Sequence, residues 1–343
     1  MTAELDLREL GPDRDAEADA LVFATPETGF MQSSAWSDFK RREGFVNVRF
    51  GFFEAATLRG LASLFYYPSG SGDGVVVCPE GPVLHWDDTG TARACLRQLL
   101  DVVRSDPRFG RTLGLRIEPH LPPPAPSLLR NWTRSPVDLT PIHTLMIDVD
   151  QPDELLLAAM HPKARYNLRL AQRHGVEVSR TTDPADLRAF YGLFEETAQR
   201  NGFFAEPYGF FLNLLAALVP TRHAEMLLAR WQGEVIAGIL VTWFGRRATY
   251  LYGGSTARCR HVMPNHLLHW TAIHAARERG CAEYDLYGYE PFGLPDHLYA
   301  GISRFKSQLG GHRVDWMGAR DHLFYDRLAD RIVEQMAEPA AAG

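Results

Sequence analysis

Hydrophobic positions along this chain recur with two periods, and the changes between them mark out its elements. Alternation every second residue reads as strands over Val46–Glu54, Ala62–Tyr67, Thr112–Ile117, Pro141–Val149, Val176–Ser179, Ala224–Ala229, Val235–Phe244, Ala248–Tyr252 and Glu283–Tyr287. Spacing of three and four reads as helices over Trp36–Arg42, Thr91–Val103, Asp153–Ala159, Lys163–His174, and from about Asn265 to Arg279. Asp183-Pro-Ala-Asp186 supplies an N-cap and a first-turn proline for a helix running through Phe190 to Arg200, and a last helix is expected over Asp321–Met336. The cluster Leu121-Pro-Pro-Pro-Ala-Pro126, followed by a polar stretch to about Thr140, fits neither helix nor central strand and marks a domain joint.

After that joint the order is strand, helix, helix, strands, helix, strand, which is the order of a GNAT acyltransferase module. Residues 1 to about 140 repeat it loosely, an inference from element order alone. The expected fold is α/β (α+β): two GNAT-like domains, each a mixed, mainly antiparallel sheet flanked by helices. In a coenzyme A-dependent module, small residues and backbone N–H groups at a helix start hold the pyrophosphate. The equivalent stretch here, Arg260-His-Val-Met-Pro-Asn265, has Met263 and Asn265 at the glycine positions and Pro264 between them. Coenzyme A should fit poorly there, and no cofactor is expected.

Composition narrows the setting. With 343 residues, 45% hydrophobic and 23% charged, the chain is long enough for two cores. No apolar run approaches the roughly 18 residues of a spanning helix, and the first residues carry no basic segment followed by an apolar one, so a cytoplasmic protein is expected. Cys78, Cys95, Cys259 and Cys281 lie far apart with no CxxC pair, which indicates neither a metal site nor a disulfide framework. A net charge of −6 argues against coating nucleic acid with the whole surface, while leaving room for a local basic patch.

Several segments, taken in order, resemble the FemABX family, which adds amino acids from aminoacyl-tRNA to peptidoglycan precursors. They are Phe30-Met-Gln-Ser-Ser-Ala-Trp36 with Lys40, Glu80-Gly-Pro-Val-Leu84, Leu115-Arg-Ile-Glu-Pro119, His161 to Arg169 through Gly175-Val-Glu-Val178, Tyr250-Leu-Tyr-Gly-Gly-Ser255, Leu267-Leu-His-Trp270 and Arg304-Phe-Lys306. The resemblance implies domain 1 over residues 1–140 plus 312–343, on the acceptor side, and domain 2 over 141–311, on the aminoacyl-tRNA and catalytic side. It implies transfer to the stem-peptide amine of UDP-MurNAc-pentapeptide or lipid II, with peripheral contact at the inner membrane face if lipid II is the acceptor. No long charged heptad insertion occurs, so a coiled-coil arm is not expected.

The resemblance also singles out residues. Lys306 becomes the candidate catalytic cation, stabilising the oxyanion of an aminoacyl ester, and Phe305 offers a ring to an acceptor-end base of the tRNA. Without the resemblance, Lys306 reads as a solvated lysine ahead of the Gly310-Gly311 turn. Tyr252, Gly253 and Gly254 would line the acceptor cleft; the plain alternative is a strand tyrosine at a β-bulge. Trp36 and Lys40, one helical turn apart, would stack on uracil and pair with a pyrophosphate, or else be a core tryptophan beside a snorkelling lysine. Lys163, Arg165, Arg169 and Arg173 form a basic stripe suited to tRNA phosphates, or a solvated helix face. Asp285 and Glu290 suggest a general base, but the resemblance implies that none is essential, and Asp285 reads instead as a strand-end aspartate that fixes a loop. Glu206-Pro-Tyr-Gly-Phe210 departs from the family pattern, which has an arginine and a tyrosine four residues on, and puts the nucleotide-linked acceptor in question. Two rivals stay open: a same-fold enzyme making a small-molecule amide, and a catalytically silent tRNA-binding protein.

Overall fold

The computed structural model describes residues 5–69, 72–294 and 300–337. The chain forms two compact units, one running to Thr140 and resuming at Trp316, the other spanning Pro141–Asp315. The first unit contains β1 (Asp6–Glu9), α1 (Asp15–Ala24), α2 (Ser34–Arg42), β2 (Val46–Glu54), β3 (Thr57–Pro68), β4 (Asp73–Pro79), α3 (Thr89–Ser105), β5 (Arg111–Glu118) and β6 (Thr133–Arg134). The second contains β7 (His143–Asp148), α4 (Asp153–Ala159), α5 (Pro162–Arg173), β8 (Glu177–Thr181), α6 (Pro184–Asn201), α7 (Tyr208–Leu218), β9 (Ala224–Trp231), β10 (Glu234–Phe244), β11 (Arg247–Ser255), α8 (Pro264–Glu278), β12 (Glu283–Asp285), α9 (Ala300–Lys306) and β13 (His312–Asp315). The chain then adds β14 (Arg320–Leu323) and α10 (Tyr325–Ala337) to the first unit.

Each unit is built on one mixed sheet, ordered β1-β2-β3-β4-β5-β14-β6 in the first and β13-β7-β12-β11-β10-β9-β8 in the second. In each, one neighbouring pair is parallel, β4 with β5 and β11 with β12. Alternation on the strands turns one residue in two toward a helix layer. In the second unit Leu227, Ile239 and Tyr284 meet Ala164 of α5 and Leu268 and Ala272 of α8. Each such fully buried large side chain contributes about 1.5–3 kcal/mol. These are two GNAT-like units of mixed sheet and flanking helices, and the longest described helices, α3 and α6, run only 17 and 18 residues.

Local chemistry sets several boundaries. Asp183 caps α6 by accepting from Ala185 N–H at 2.8 Å, and Gly202 ends it in a left-handed conformation. The structure corrects the expected C-terminal helix, which starts at Tyr325 rather than Asp321 because Arg320–Leu323 pairs with β5. It also moves the return to the first unit from Gly311 to Asp315, since His312–Asp315 pairs with β7. α7 escaped the periodicity because Tyr-Gly-Phe-Phe-Leu-Asn-Leu-Leu-Ala-Ala-Leu is apolar nearly all round and shows no polar face.

Candidate active site

The parallel pairing of β11 and β12 lasts three residues, Arg247 with Glu283, Ala248 with Tyr284 and Thr249 with Asp285. Beyond it β12 ends while β11 continues to Ser255 along β10 alone, so the sheet opens at this point. Lys306, the last residue of α9, projects here and is only 5% exposed. The solvated-lysine reading is therefore wrong. Its Nζ donates to the carbonyls of Tyr287 at 2.8 Å and Gly288 at 2.7 Å, and lies 5.5 Å from the centre of the Tyr250 ring. An ammonium has three N–H donors. Two are used, and among the described residues the third has no acceptor.

Burial lowers the Lys306 pKa to about 7, against the opposing pull of Asp285. The rings around it stay uncharged. Burial holds His269 down to about 3 and His266 to about 4, and pushes the Tyr250 phenol up to about 12. His269 Nδ1 lies 2.9 Å from the Tyr284 hydroxyl, and its ring packs edge-on to Tyr250 and beside Phe305. Phe305 is half-buried with one side against His266 and His269. A single cation among neutral rings, with one donor unspent, suits stabilisation of a developing oxyanion, where low dielectric strengthens the interaction.

The chain holds 36 Lys and Arg residues, and only Lys40, Lys163 and Lys306 are lysines. A compact cation that can shed its proton is thus rare here, and an arginine's planar, permanently charged fork is neither compact nor able to do so.

The remaining candidates separate. Tyr252 packs against Phe194, Phe210 and Phe211, with ring centres 5.7, 5.8 and 5.1 Å away, as part of the aromatic layer between β11 and α6–α7. The register slips between Leu240 and Val241, so β11 does carry a bulge here. A Cβ on Gly254 would overlap the backbone of Leu193 and Phe194, so this glycine makes room for α6, not for a ligand. A Cβ on Gly253 would collide with the Tyr250 ring. Trp36, in the other unit, is 7% exposed and wedged edge-on against Phe30 and Phe39. A ring so enclosed has no face for uracil, which corrects that expectation. Lys40 Nζ stands 3.7 Å from the Phe45 ring centre, near Phe39 and Tyr67, a cation–π arrangement.

On α5, Ala164, Leu168 and Ala171 face the core while Lys163, Arg169 and Arg173 are exposed. Arg165 is different. Its Nη1 donates to the carbonyls of Leu157, Ala158 and Met160, closing the end of α4. It leaves the stripe, which corrects its place among the RNA-facing residues. At the start of α8, Met263 is left-handed (φ 53°) and Pro264 occupies the first turn without an N–H.

Sequence reasoning missed Tyr250, His266, His269 and the Tyr287 and Gly288 carbonyls. The two histidines recur at helical spacing inside an expected helix. That pattern suits any core, and nothing in it points to Lys306.

Two family models match, "FemAB family" over residues 14–123 and "Acetyltransferase (GNAT) domain" over 162–307. Lipid II:glycine glycyltransferases of Staphylococcus aureus strains COL and MRSA252 are 22% identical over 401 aligned positions, covering 93% of this chain and 94% of theirs. This chain belongs to the FemABX family. It is accordingly an enzyme of acyl or aminoacyl transfer. Among solved structures, one described as FemX superposes with a TM-score of 0.85 at 19% identity, covering 95% of this chain and 99% of that one. The C-terminal domain (DUF2156) of a putative lysylphosphatidylglycerol synthetase from Agrobacterium fabrum gives 0.56 at 13% identity, with 94% and 97% covered. Both share the tandem fold of this FemABX chain. No described helix is long and apolar enough to cross a membrane.

Proposed function

We propose that this FemABX enzyme moves an amino acid from the ester of an aminoacyl-tRNA to the stem-peptide amine of a peptidoglycan precursor, building an interpeptide bridge at the cytoplasmic side. The observation that carries the reading is the enclosed Lys306 ammonium, with two donors on backbone carbonyls and one left for an ester oxygen. An ester is already activated, so the enzyme's task is to orient the amine and stabilise the tetrahedral oxyanion. The name of the glycyltransferase relatives favours lipid II as acceptor, and Glu206 in place of a phosphate-binding arginine points the same way against the nucleotide-linked form. The start of α8 does not suit a coenzyme A pyrophosphate, because Pro264 removes a donor and Met263 adds a side chain where small residues are needed. The exposed Lys163, Arg169 and Arg173 of α5 supply charge and reach for the tRNA backbone.

The test is transfer of a labelled amino acid from charged tRNA, with lipid II, UDP-MurNAc-pentapeptide and unrelated amines offered in turn. The reading expects turnover with lipid II and a loss of about 10²–10³ in Lys306→Ala, the usual cost of one oxyanion donor. Turnover from acetyl-CoA, or full activity in Lys306→Ala, would refute it.

A further inference from the structure

The ladder between β12 and β7 does not stop cleanly at Asp285. Leu286 N–H reaches Leu145 O at 2.9 Å and Tyr289 N–H reaches His143 O at 2.9 Å, so the bonds resume on either side of Tyr287–Gly288. Those two residues bulge out of the ladder, and theirs are the carbonyls that hold Lys306. Tyr287 is left-handed, φ 56°, an unfavourable place for a bulky residue. Something must hold it there.

Asp285 does so. It is 5% exposed, and its Oδ1 accepts both the Tyr287 N–H at 2.7 Å and the hydroxyl of Thr144 on β7. Burial raises the pKa of this carboxyl, while Arg247 and these two donors pull it back toward the ionised form. A second clamp follows: Glu290 accepts the N–H groups of Phe292 at 2.6 Å and Leu294 at 3.0 Å, and its own N–H donates to Ser303 of α9 at 2.8 Å. The loop is tied to the helix that carries the lysine.

We propose that Asp285 is a positioning residue for acyl transfer: by pinning the Tyr287–Gly288 bulge it fixes where the Lys306 ammonium sits, and its negative charge keeps that ammonium protonated. This rests on the functional reading of Lys306 given above. The rings nearest the lysine are Tyr250 on β11 and His269 on α8; His269 in turn touches Tyr284 on β12 and shares Phe305 with His266, Glu290 lies on the same loop, and Arg247 acts on Asp285. Burial favours the neutral form of these four rings, and Asp285 is the carboxylate that acts on Lys306, although burial raises its own pKa as well.

Because the chain has three lysines, protein grown on [ε-13C]lysine gives three resonances, and Lys306→Arg assigns the one that matters. The full-length enzyme is titrated as wild type, Asp285→Asn and Thr144→Val, with far-ultraviolet circular dichroism as the check on folding. In Asp285→Asn the Lys306 midpoint should fall by about one unit or more. Thr144→Val, which is the gentler change, should lower it by less. The alkaline limb of aminoacyl transfer to lipid II should move down in step, while rates at the acid side change little. A Lys306 resonance that titrates unchanged in both variants overturns the proposal, whatever the enzyme transfers. So does a rate lost equally at every pH with the limb in place. A shifted resonance in a protein that transfers nothing sinks the functional reading instead, and supports the electrostatic link between the two residues.

Discussion

Tyr250 and Tyr252, two positions apart on one strand, meet opposite layers of the second unit. Tyr250 packs against His269 of α8, and Tyr252 against Phe194, Phe210 and Phe211 of α6 and α7. A regular strand would put both on one face, and the bulge in β11 breaks that rule. The bulge therefore gives one tyrosine to the lysine site and the other to the aromatic layer. Tyr252→Ala should lower stability by about 2 kcal/mol or more, measured by urea unfolding, by removing the ring from that layer.

Lys306 makes stability depend on pH with a definite sign. Its folded pKa of about 7 lies below the 10.5 of the free side chain, so between those values the unfolded chain binds the extra proton. The contribution of Lys306 to stability therefore rises with pH across that window, by about 1.4 kcal/mol per unit at the steepest, and is opposed from about pH 8 upward by the thiols of Cys78, Cys95 and Cys281, whose pKa burial raises. Lys306→Met should abolish the rise between pH 7 and about pH 8, below the range in which the thiols of the unfolded chain and the buried tyrosines titrate. An equal slope in wild type and variant would show that the lysine is not desolvated.

Gly254 tests the assignment of the glycine pair. Since an added methyl would overlap α6 backbone, Gly254→Ala should cost about 1–3 kcal/mol and lower the melting temperature. Gly253→Ala meets a movable ring and should cost less, at the expense of the Tyr250 position. If Gly254→Ala is as stable as wild type and only acceptor binding suffers, the glycine serves the ligand after all.

Much of this was legible in the sequence, in a way that follows from what a sequence can encode. The two-fold and 3.6-fold patterns placed most strands and helices, and the Met263-Pro264 pair at the head of α8 was visible as a departure from a pyrophosphate loop. Lys306 stood out only through the family resemblance, because nothing local distinguishes a buried lysine from an exposed one. What encloses it comes from three strands, a helix and a loop between residues 144 and 306, brought together by folding. Trp36 failed for the reverse reason. Its spacing from Lys40 shares a face, but which way the face points depends on Phe30 and Phe39. Arg165 lay on the right stripe and was captured by the preceding helix, whose last carbonyls needed donors.

His269 carries an acid limit. Its folded pKa is held at about 3 by burial, against about 6.5 unfolded, so its contribution is fully present above pH 6.5 and is lost as pH falls toward 3. His266, held at about 4, adds to the same trend. Urea unfolding of the wild type at pH 7, 6 and 5 should show a steady decline that flattens in His269→Phe. The variant starts lower, because the Tyr284 hydroxyl loses its partner, so the slope and not the absolute value is the readout.

The arginines of α5 should divide by role. Arg165→Ala frees carbonyls at the end of α4 and should cost about 1–3 kcal/mol of stability, with little change in tRNA affinity. Arg169→Ala with Arg173→Ala removes exposed charge and should leave stability within about 0.5 kcal/mol. Tyr166, beneath the Arg173 guanidinium at 5.6 Å, is itself exposed, so that pairing is worth little. If these two arginines meet phosphates, the double variant binds charged tRNA more weakly at every salt concentration. The slope of log affinity against log salt should then flatten by about one for each phosphate no longer neutralised. An unchanged slope would remove α5 from the RNA-facing surface and direct the search to other basic residues of the enzyme.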